Sequence, residues 1–296
     1  MSGNFKSGFV SILGRSNVGK STLLNNIIKE KVAIISQKPQ TTRNVIHGIL
    51  TREDYQIVFI DTPGIHKPKY KLGEHMVNIA IRSLKGVDAV LFITDSPYIG
   101  AGDEYILDLL KNIKTPVILL LNKSDLMTKS EINSAVDSFK GKMNFYDIIP
   151  ISALYQINLD KLIEAIVKII PEGPKYYPDD MITDQPERFI IAEIIREKVL
   201  QSLQEEIPHG VAIEVEEIEE KRQGEIVYIR ATIYCEKESH KGIIIGKNGR
   251  MLKQIGKLSR IDIEEFLGTN VFLDIWVKVN KDWRNKEGFF RNLGYS

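Results

Sequence analysis

From Phe9 to about Ile170, short apolar runs alternate with stretches of helical periodicity. GFVSILG, YQIVFIDT, VDAVLFITD, TPVILLLNK and YDIIPIS are apolar at successive positions, the pattern of strands covered on both faces. KSTLLNNIIKE and NLDKLIEAIVKII instead place aliphatic residues three and four apart, which predicts helices. Such alternation implies βαβ units and an α/β fold with a mostly parallel, doubly wound sheet. NVIHGILT, just ahead of YQIVFIDT, is expected to add an antiparallel edge strand.

The alternation stops at PEGPKYYPDDMITDQPERF, residues 171 to 189, which carries four prolines and few aliphatics. Proline bars both helix and central strand, so an extended linker is expected. The domain boundaries follow as 1–172, a linker 173–186, and 187–296. Beyond the linker, Ile190, Ile191, Ile194, Ile195, Val199 and Leu203 form a helical stripe. GVAIEVEEIEE and EIVYIRATIYCE alternate as two strands, with KRQG between them as the turn of a hairpin. A glycine-rich basic stretch, a helix through IEEFLG and the strand VFLDIWVKV follow. The expected order is helix, strand, strand, short helix, helix, strand.

Composition narrows the class. With 296 residues, 43% hydrophobic and 27% charged, the chain reads as an ordinary globular protein with room for two domains. A formal net charge of +1 confines nucleic-acid affinity to local patches. The single cysteine, Cys235, excludes an internal disulfide and fits a reducing compartment. The five histidines show no metal-ligand spacing. No apolar run reaches the roughly 20 residues that span a bilayer, and the N-terminus lacks a signal-peptide layout. A cytoplasmic protein is expected.

GRSNVGKS, Gly14 to Ser21, follows a strand and opens a helix, the setting of a phosphate-binding loop. Gly14, Arg15, Ser16, Asn17, Val18 and Gly19 supply backbone N–H groups that can wrap a phosphate at a helix N-terminus. Lys20 would reach the terminal phosphates and the Ser21 hydroxyl would bind Mg²⁺. DTPG, Asp61, Thr62, Pro63 and Gly64, closes another strand. Asp61 is placed to hold Mg²⁺ through water, and the Gly64 N–H to sense a γ-phosphate. NKSD, Asn122, Lys123, Ser124 and Asp125, ends the next strand but one. The Asp125 carboxylate can accept from N1–H and the 2-amino group of guanine, which adenine cannot match, so GTP is selected over ATP. ISAL places Ser152, Ala153 and Leu154 beside the guanine carbonyl. Within KPQTTRN either Thr41 or Thr42 would complete the Mg²⁺ shell, Thr42 being favoured. HKPKYKLGEHMVNIAIRSLKG, after DTPG, is expected to be a mobile second switch.

Ile65 follows DTPG where many GTP-hydrolysing switches carry a water-orienting glutamine. An alkyl group can do no such work, so slow basal turnover is expected. Arg15 and Arg43 are nearby cations, neither assignable as an arginine finger.

In the second half, IIIGKNGR holds a GxxG from Gly246 to Gly249. Lying between two helices in the order above, it has the arrangement of a type II KH domain, whose GxxG clamps single-stranded RNA. Lys241, Lys247, Arg250, Lys253, Lys257 and Arg260 surround it with no acidic residue between His240 and Arg260. RNA contacts are therefore expected at Lys241, Gly246, Lys247, Asn248, Gly249, Arg250 and Lys253. Among Trp276, Trp283, Phe289 and Tyr295, some are expected in the core, and an exposed one could stack on a base.

With these motifs in this order, GRSNVGKS, KPQTTR, DTPG, NKSD, SAL, IIIGKNG and the terminal WVKV…W…LGY, nearly the whole chain resembles the Era family of bacterial ribosome-assembly GTPases. The resemblance implies a Ras-like P-loop domain followed by a KH domain, GTP and GDP as ligands, and Mg²⁺. It further implies binding to 16S ribosomal RNA near its 3′ end, maturation of the small (30S) subunit, a monomer, and peripheral membrane association. The family also carries an apolar residue after DTPG. Ser16 departs from the family's usual proline, which bears on loop rigidity alone. GTPases with similar GxxNxGKS loops suggest a catalytic set of Asn17, Lys20 and Gly64, with the Asn17 side chain ligating K⁺ in place of an arginine finger; the alternative is that Asn17 only braces the loop. A nucleotide-gated RNA chaperone with incidental hydrolysis is the rival function. An RNA-modifying enzyme is the weaker rival, because the second half offers neither a placed nucleophile nor a metal cluster.

Overall fold

The computed structural model describes residues 5–36, 38, 41–221 and 225–295. Two compact units divide the chain, one built mainly from residues up to Asp184, the other from Gln185–Ser296.

The first unit runs β1 (Lys6–Gly14), α1 (Lys20–Ile28), β2 (Ile46–Thr51), β3 (Tyr55–Asp61), α2 (Lys71–Arg82), β4 (Ala89–Thr94), α3 (Ala101–Leu110), β5 (Val117–Leu121), α4 (Lys129–Lys140), β6 (Asp147–Pro150) and α5 (Leu159–Ile169). Its six-stranded sheet has the order β2-β3-β1-β4-β5-β6. Every pairing is parallel except β2 with β3, so NVIHGILT is the antiparallel edge expected of it. Every residue of β4 and β5 is buried, which explains why these strands read as unbroken apolar runs. Because successive strands step outward on either side of β1, the C-terminal ends of β1, β3 and β5 gather at one edge, where such sheets bind ligands.

Two expectations gain detail in this unit. Much of the segment after DTPG, expected to be a mobile switch, is the helix α2, with Met76, Ile79 and Ala80 buried. The linker, residues 173–186, forms neither helix nor strand, but it is fastened to the sheet. Gly173 N donates to Phe5 O at 3.0 Å, and the Gln56 side-chain carbonyl accepts from the N–H groups of Tyr176 and Tyr177 at 2.7 and 3.0 Å. Ile49 N of the edge strand donates to Ile182 O at 2.8 Å, covering an edge that would otherwise expose unpaired backbone.

The second unit runs α6 (Glu187–Ser202), β7 (Ala212–Lys221), β8 (Ile226–Cys235), α7 (Glu238–Ile245), α8 (Arg250–Leu267), β9 (Asn270–Val279) and α9 (Glu287–Asn292). β8 pairs antiparallel with β7 and parallel with β9, the strand arrangement of a type II KH fold. Ile191, Ile195 and Val199 of the expected stripe join Ile229, Ile233, Ile255 and Ile263 in one core. The polar side of α6 is also buried, which periodicity did not show: Arg196 is fully enclosed, and its Nε donates to Glu193 Oε1 at 2.7 Å. Of the tail aromatics, Trp283 and Tyr295 are core residues whereas Trp276 is exposed. Three residues of the expected KRQG turn, 222–224, lie outside the described residues.

Candidate nucleotide site and nucleic-acid groove

The loop from Gly14 to Gly19 connects β1 to α1 and needs two left-handed residues, Asn17 at φ 66° and Gly19 at φ 101°. At Gly19 a side chain is also barred sterically, since a Cβ would fall 2.3 Å from Asn122 Nδ2. That amide is the central strut of the site. Its Nδ2 donates to Val18 O at 2.7 Å and its Oδ1 accepts from Ala153 N at 2.8 Å, so NKSD ties the phosphate loop to SAL. Asn26 of α1 adds a second tie, donating to Ala153 O at 2.8 Å. Ser152 and Ala153 are buried, whereas Asp125 and Leu154 are exposed. An exposed Asp125 is available to a base lying across the loop.

The three expected metal ligands are brought together although they come from distant stretches. Ser21 Oγ donates to Asp61 Oδ2 at 2.7 Å and lies 2.9 Å from Thr42 Oγ1. Asp61 is wholly buried, and its other oxygen, Oδ1, meets no hydrogen-bond donor among the described residues. Burial pushes its carboxyl up to about 6, opposed by the Lys20 charge and the Ser21 hydroxyl. Burial likewise pulls the Lys20 ammonium down to about 8. Its Nζ donates to the carbonyls of Gly14 and Arg15 at 3.2 and 2.8 Å. A buried carboxylate with a vacant lone pair and two hydroxyls are the oxygen donor set a hard divalent ion accepts, while the Lys20 ammonium beside them suits phosphate oxygens.

Ile65 is explained by packing. Its backbone N donates to Gly14 O at 3.1 Å, and its side chain joins Leu13, Ala80, Leu84, Val90 and Phe92 in the core. The position after DTPG thus points into the protein. Gly64 approaches the phosphate loop so closely that a Cβ would stand 2.5 Å from Ser16 Oγ. Thr62 Oγ1 donates to Ile12 O, and Pro63 is buried.

Sequence reasoning missed Asp95 and Asp103. Asp95 Oδ1 accepts from Arg15 at 2.9 Å, and its Oδ2 accepts from Lys123 Nζ at 2.6 Å. Asp103 Oδ1 accepts from Arg15 Nε at 2.9 Å. Two carboxylates therefore hold Arg15, and Arg43 is buried at 2% exposure, so neither extends as a finger. A readable signal existed, since Asp95 follows a buried strand at the sheet edge that carries the other motifs.

In the second unit, Gly246 and Gly249 both take φ 73° and Asn248 takes φ 53°, a tight reversal between α7 and α8. Lys247, Asn248, Arg250 and Lys253 are exposed around it. The reversal opens into a groove of about 580 Å³ between α8 and β9, with Lys253, Lys257 and Arg260 on one wall and Val271, Leu273 and Ile275 on the other. Lys241 lies on α7, half-buried. Aliphatic floor, cationic wall and glycine turn suit a single strand whose bases are splayed and whose backbone is clamped.

A P-loop guanine-nucleotide switch domain followed by an RNA-binding KH domain is the class that this fold and these sites define. Residues 9–123 match the family described as 50S ribosome-binding GTPase, and residues 206–284 match the KH domain family. The chain is 60% identical to GTPase Era of Caldanaerobacter subterraneus subsp. tengcongensis over 293 residues, 99% of this chain and 98% of that one. It is 58% identical to GTPase Era of Alkaliphilus metalliredigens over 99% of both chains. The chain belongs to the Era GTPase family. A crystal structure of Era in complex with MgGDPNP and nucleotides 1506–1542 of 16S ribosomal RNA is similar to it, with TM-score 0.96 and 42% identity over 99% of each chain. A single-substitution variant of Aquifex aeolicus Era bound to GDP·AlF4⁻ is similar too, with TM-score 0.95 and 42% identity over 99% of this chain and 100% of that one.

Proposed function

We propose that this protein is a GTP-hydrolysing switch that binds 16S ribosomal RNA near its 3′ end and assists assembly and maturation of the small ribosomal subunit. The observation that carries the reading is the meeting of Ser21, Thr42 and Asp61 at the mouth of the phosphate loop. Those three residues would hold Mg²⁺, which when bound neutralises charge on the β- and γ-phosphates. Lys20 supplies a fixed cation to the same phosphates, and a bound phosphate would restore the charge that burial disfavours. Loop N–H groups from Gly14 to Ser21 orient the phosphates, Asp125 reads the guanine edge, and Gly64 N–H reports the γ-phosphate. The similar Era structure with RNA and MgGDPNP supports nucleotide and RNA as the two ligands, and the cationic wall of the α8–β9 groove supports placing the RNA there.

K⁺ would serve the reaction by way of Asn17, an exposed loop residue whose backbone carbonyl accepts from Lys123 Nζ at 3.3 Å. With the Ile65 side chain in the core and Arg15 held by carboxylates, a monovalent cation would add to Mg²⁺ and Lys20 the positive charge that an arginine finger supplies elsewhere. Hydrolysis several-fold faster in K⁺ than in Na⁺ at matched ionic strength is expected, with Asn17→Ala removing the difference; equal single-turnover rates would refute the role.

The protein would act as a monomer in the cytoplasm. No helix among the described residues is long and apolar enough to cross a membrane, so the membrane association would be peripheral. The test of the main reading is GTP turnover with and without a 16S 3′ fragment, beside filter binding of that fragment in the GDP and GDPNP states. RNA binding that depends on the nucleotide, with no hydrolysis of ATP, is expected. RNA affinity indifferent to nucleotide would overturn the switch.

A further inference from the structure

The three-stranded sheet of the second unit has an outward face that borders the RNA groove only at Phe272. Ile213, Ile229, Ala231 and Ile233 point into the core, so their neighbours along each strand point outward. The strand register lines these outward residues into rows: Glu219–Tyr228–Phe272, then Glu217–Arg230–Asp274, then Glu214–Thr232–Trp276. Phe272 and Trp276 are 61% and 57% exposed, although rings of this size ordinarily find cover.

Both rings are held in place. Phe272 stacks on Tyr228 at 5.8 Å between centroids, with 17° between the planes. Asp274 Oδ2 accepts from Trp276 Nε1 at 3.0 Å and from Tyr228 OH at 3.2 Å. The same face already shows what its rings accept. Lys221 Nζ lies 4.6 Å from the Tyr228 centroid and the Arg230 guanidinium 5.5 Å, both within cation–π range.

Charge decides the class of partner. Among the described residues, Glu214, Glu217, Glu219 and Asp274, with Glu216 at the β7 bulge, outnumber Lys221, Arg230 and Lys278. The α7–α8 side that borders the groove is instead basic. A phosphate backbone on the sheet face would meet an excess of carboxylates, and a second copy of the face would repel its like. We propose that this outward face of β7, β8 and β9 docks an extended protein segment rich in arginine and lysine, separately from RNA. Cationic side chains would lie on Trp276 while pairing with Glu217, Glu219 and Asp274. A protein that assembles on RNA would thereby engage the basic polypeptides bound to the same RNA.

Fluorescence anisotropy of the full-length GDP-bound protein with a fluorescein-labelled peptide of alternating arginine and glycine tests this, at physiological salt. Trp276→Ala and Glu217→Lys are each expected to weaken peptide binding by about tenfold, leaving affinity for a 16S 3′ RNA fragment and for GTP unchanged. Those two affinities also confirm that the variants fold. Trp283 is buried and is the only other tryptophan, so a peptide-induced change in emission should vanish in Trp276→Phe. Three results would overturn the proposal: peptide affinity equal to wild type in both variants, loss of RNA binding in either, or a self-association that Trp276→Ala abolishes.

Discussion

Ile65 N donates to the carbonyl of Gly14 at 3.1 Å, so the residue after DTPG is fastened to the last residue of β1. The side chain, 2% exposed, is then directed away from the phosphates into the apolar core. A glutamine here would carry its amide into the core, because the backbone aims this position inward.

Ile65→Gln is accordingly expected to gain no catalysis. Its amide would be buried without partners, at a cost of about 1–3 kcal/mol, which lowers the melting temperature by roughly 2–10 °C for a protein of this size. Thermal melts beside single-turnover hydrolysis check this; a faster rate would refute the account of Ile65.

Asp61 gives a pH dependence of defined sign. Its folded pKa is raised from the model-peptide value of 3.8 to about 6 by burial, so the folded protein binds this proton more tightly than the unfolded chain does. The nucleotide-free protein therefore loses stability as pH rises from about 4 to about 6, and that loss is complete above about 6. Metal binding has the opposite demand, since it needs the carboxylate. Mg²⁺-dependent nucleotide affinity should fall as pH drops through about 6, and Asp61→Asn should remove that step. Isothermal titration across this range, with denaturant melts of wild type and variant, measures both.

Asp125→Asn is expected to lower GTP affinity by about 100-fold or more and to raise affinity for XTP. Xanthine carries a carbonyl in place of the 2-amino donor, which the new amide can satisfy. Competition binding with the two nucleotides decides, and undiminished GTP affinity would remove the base-reading role.

Lys247→Asp combined with Asn248→Asp puts two carboxylates in the exposed GxxG reversal. Filter binding to a 16S 3′ fragment should fall below detection, because facing like charges costs several kcal/mol, while GTP affinity stays within a few-fold. Retained RNA affinity in the folded variant would remove the groove assignment.

The sequence by itself determined those features that rest on local rules. Unbroken apolar runs marked β4 and β5 because both their faces are buried, and the Ile190–Leu203 stripe marked α6 because helical spacing is local. Gly14–Ser21, Asp61–Gly64 and Asn122–Asp125 were legible because each motif does its work with neighbouring backbone at a strand end. Tertiary structure alone decided what bridges those motifs. Asn122 spans Val18 and Ala153, two carboxylates hold Arg15, Ile65 turns inward, and Ile182 caps the β2 edge. Periodicity likewise could not show that the polar side of α6 is enclosed around Arg196. Each of these depends on groups far apart in the chain whose meeting is set by how the elements pack, and no local pattern records that packing.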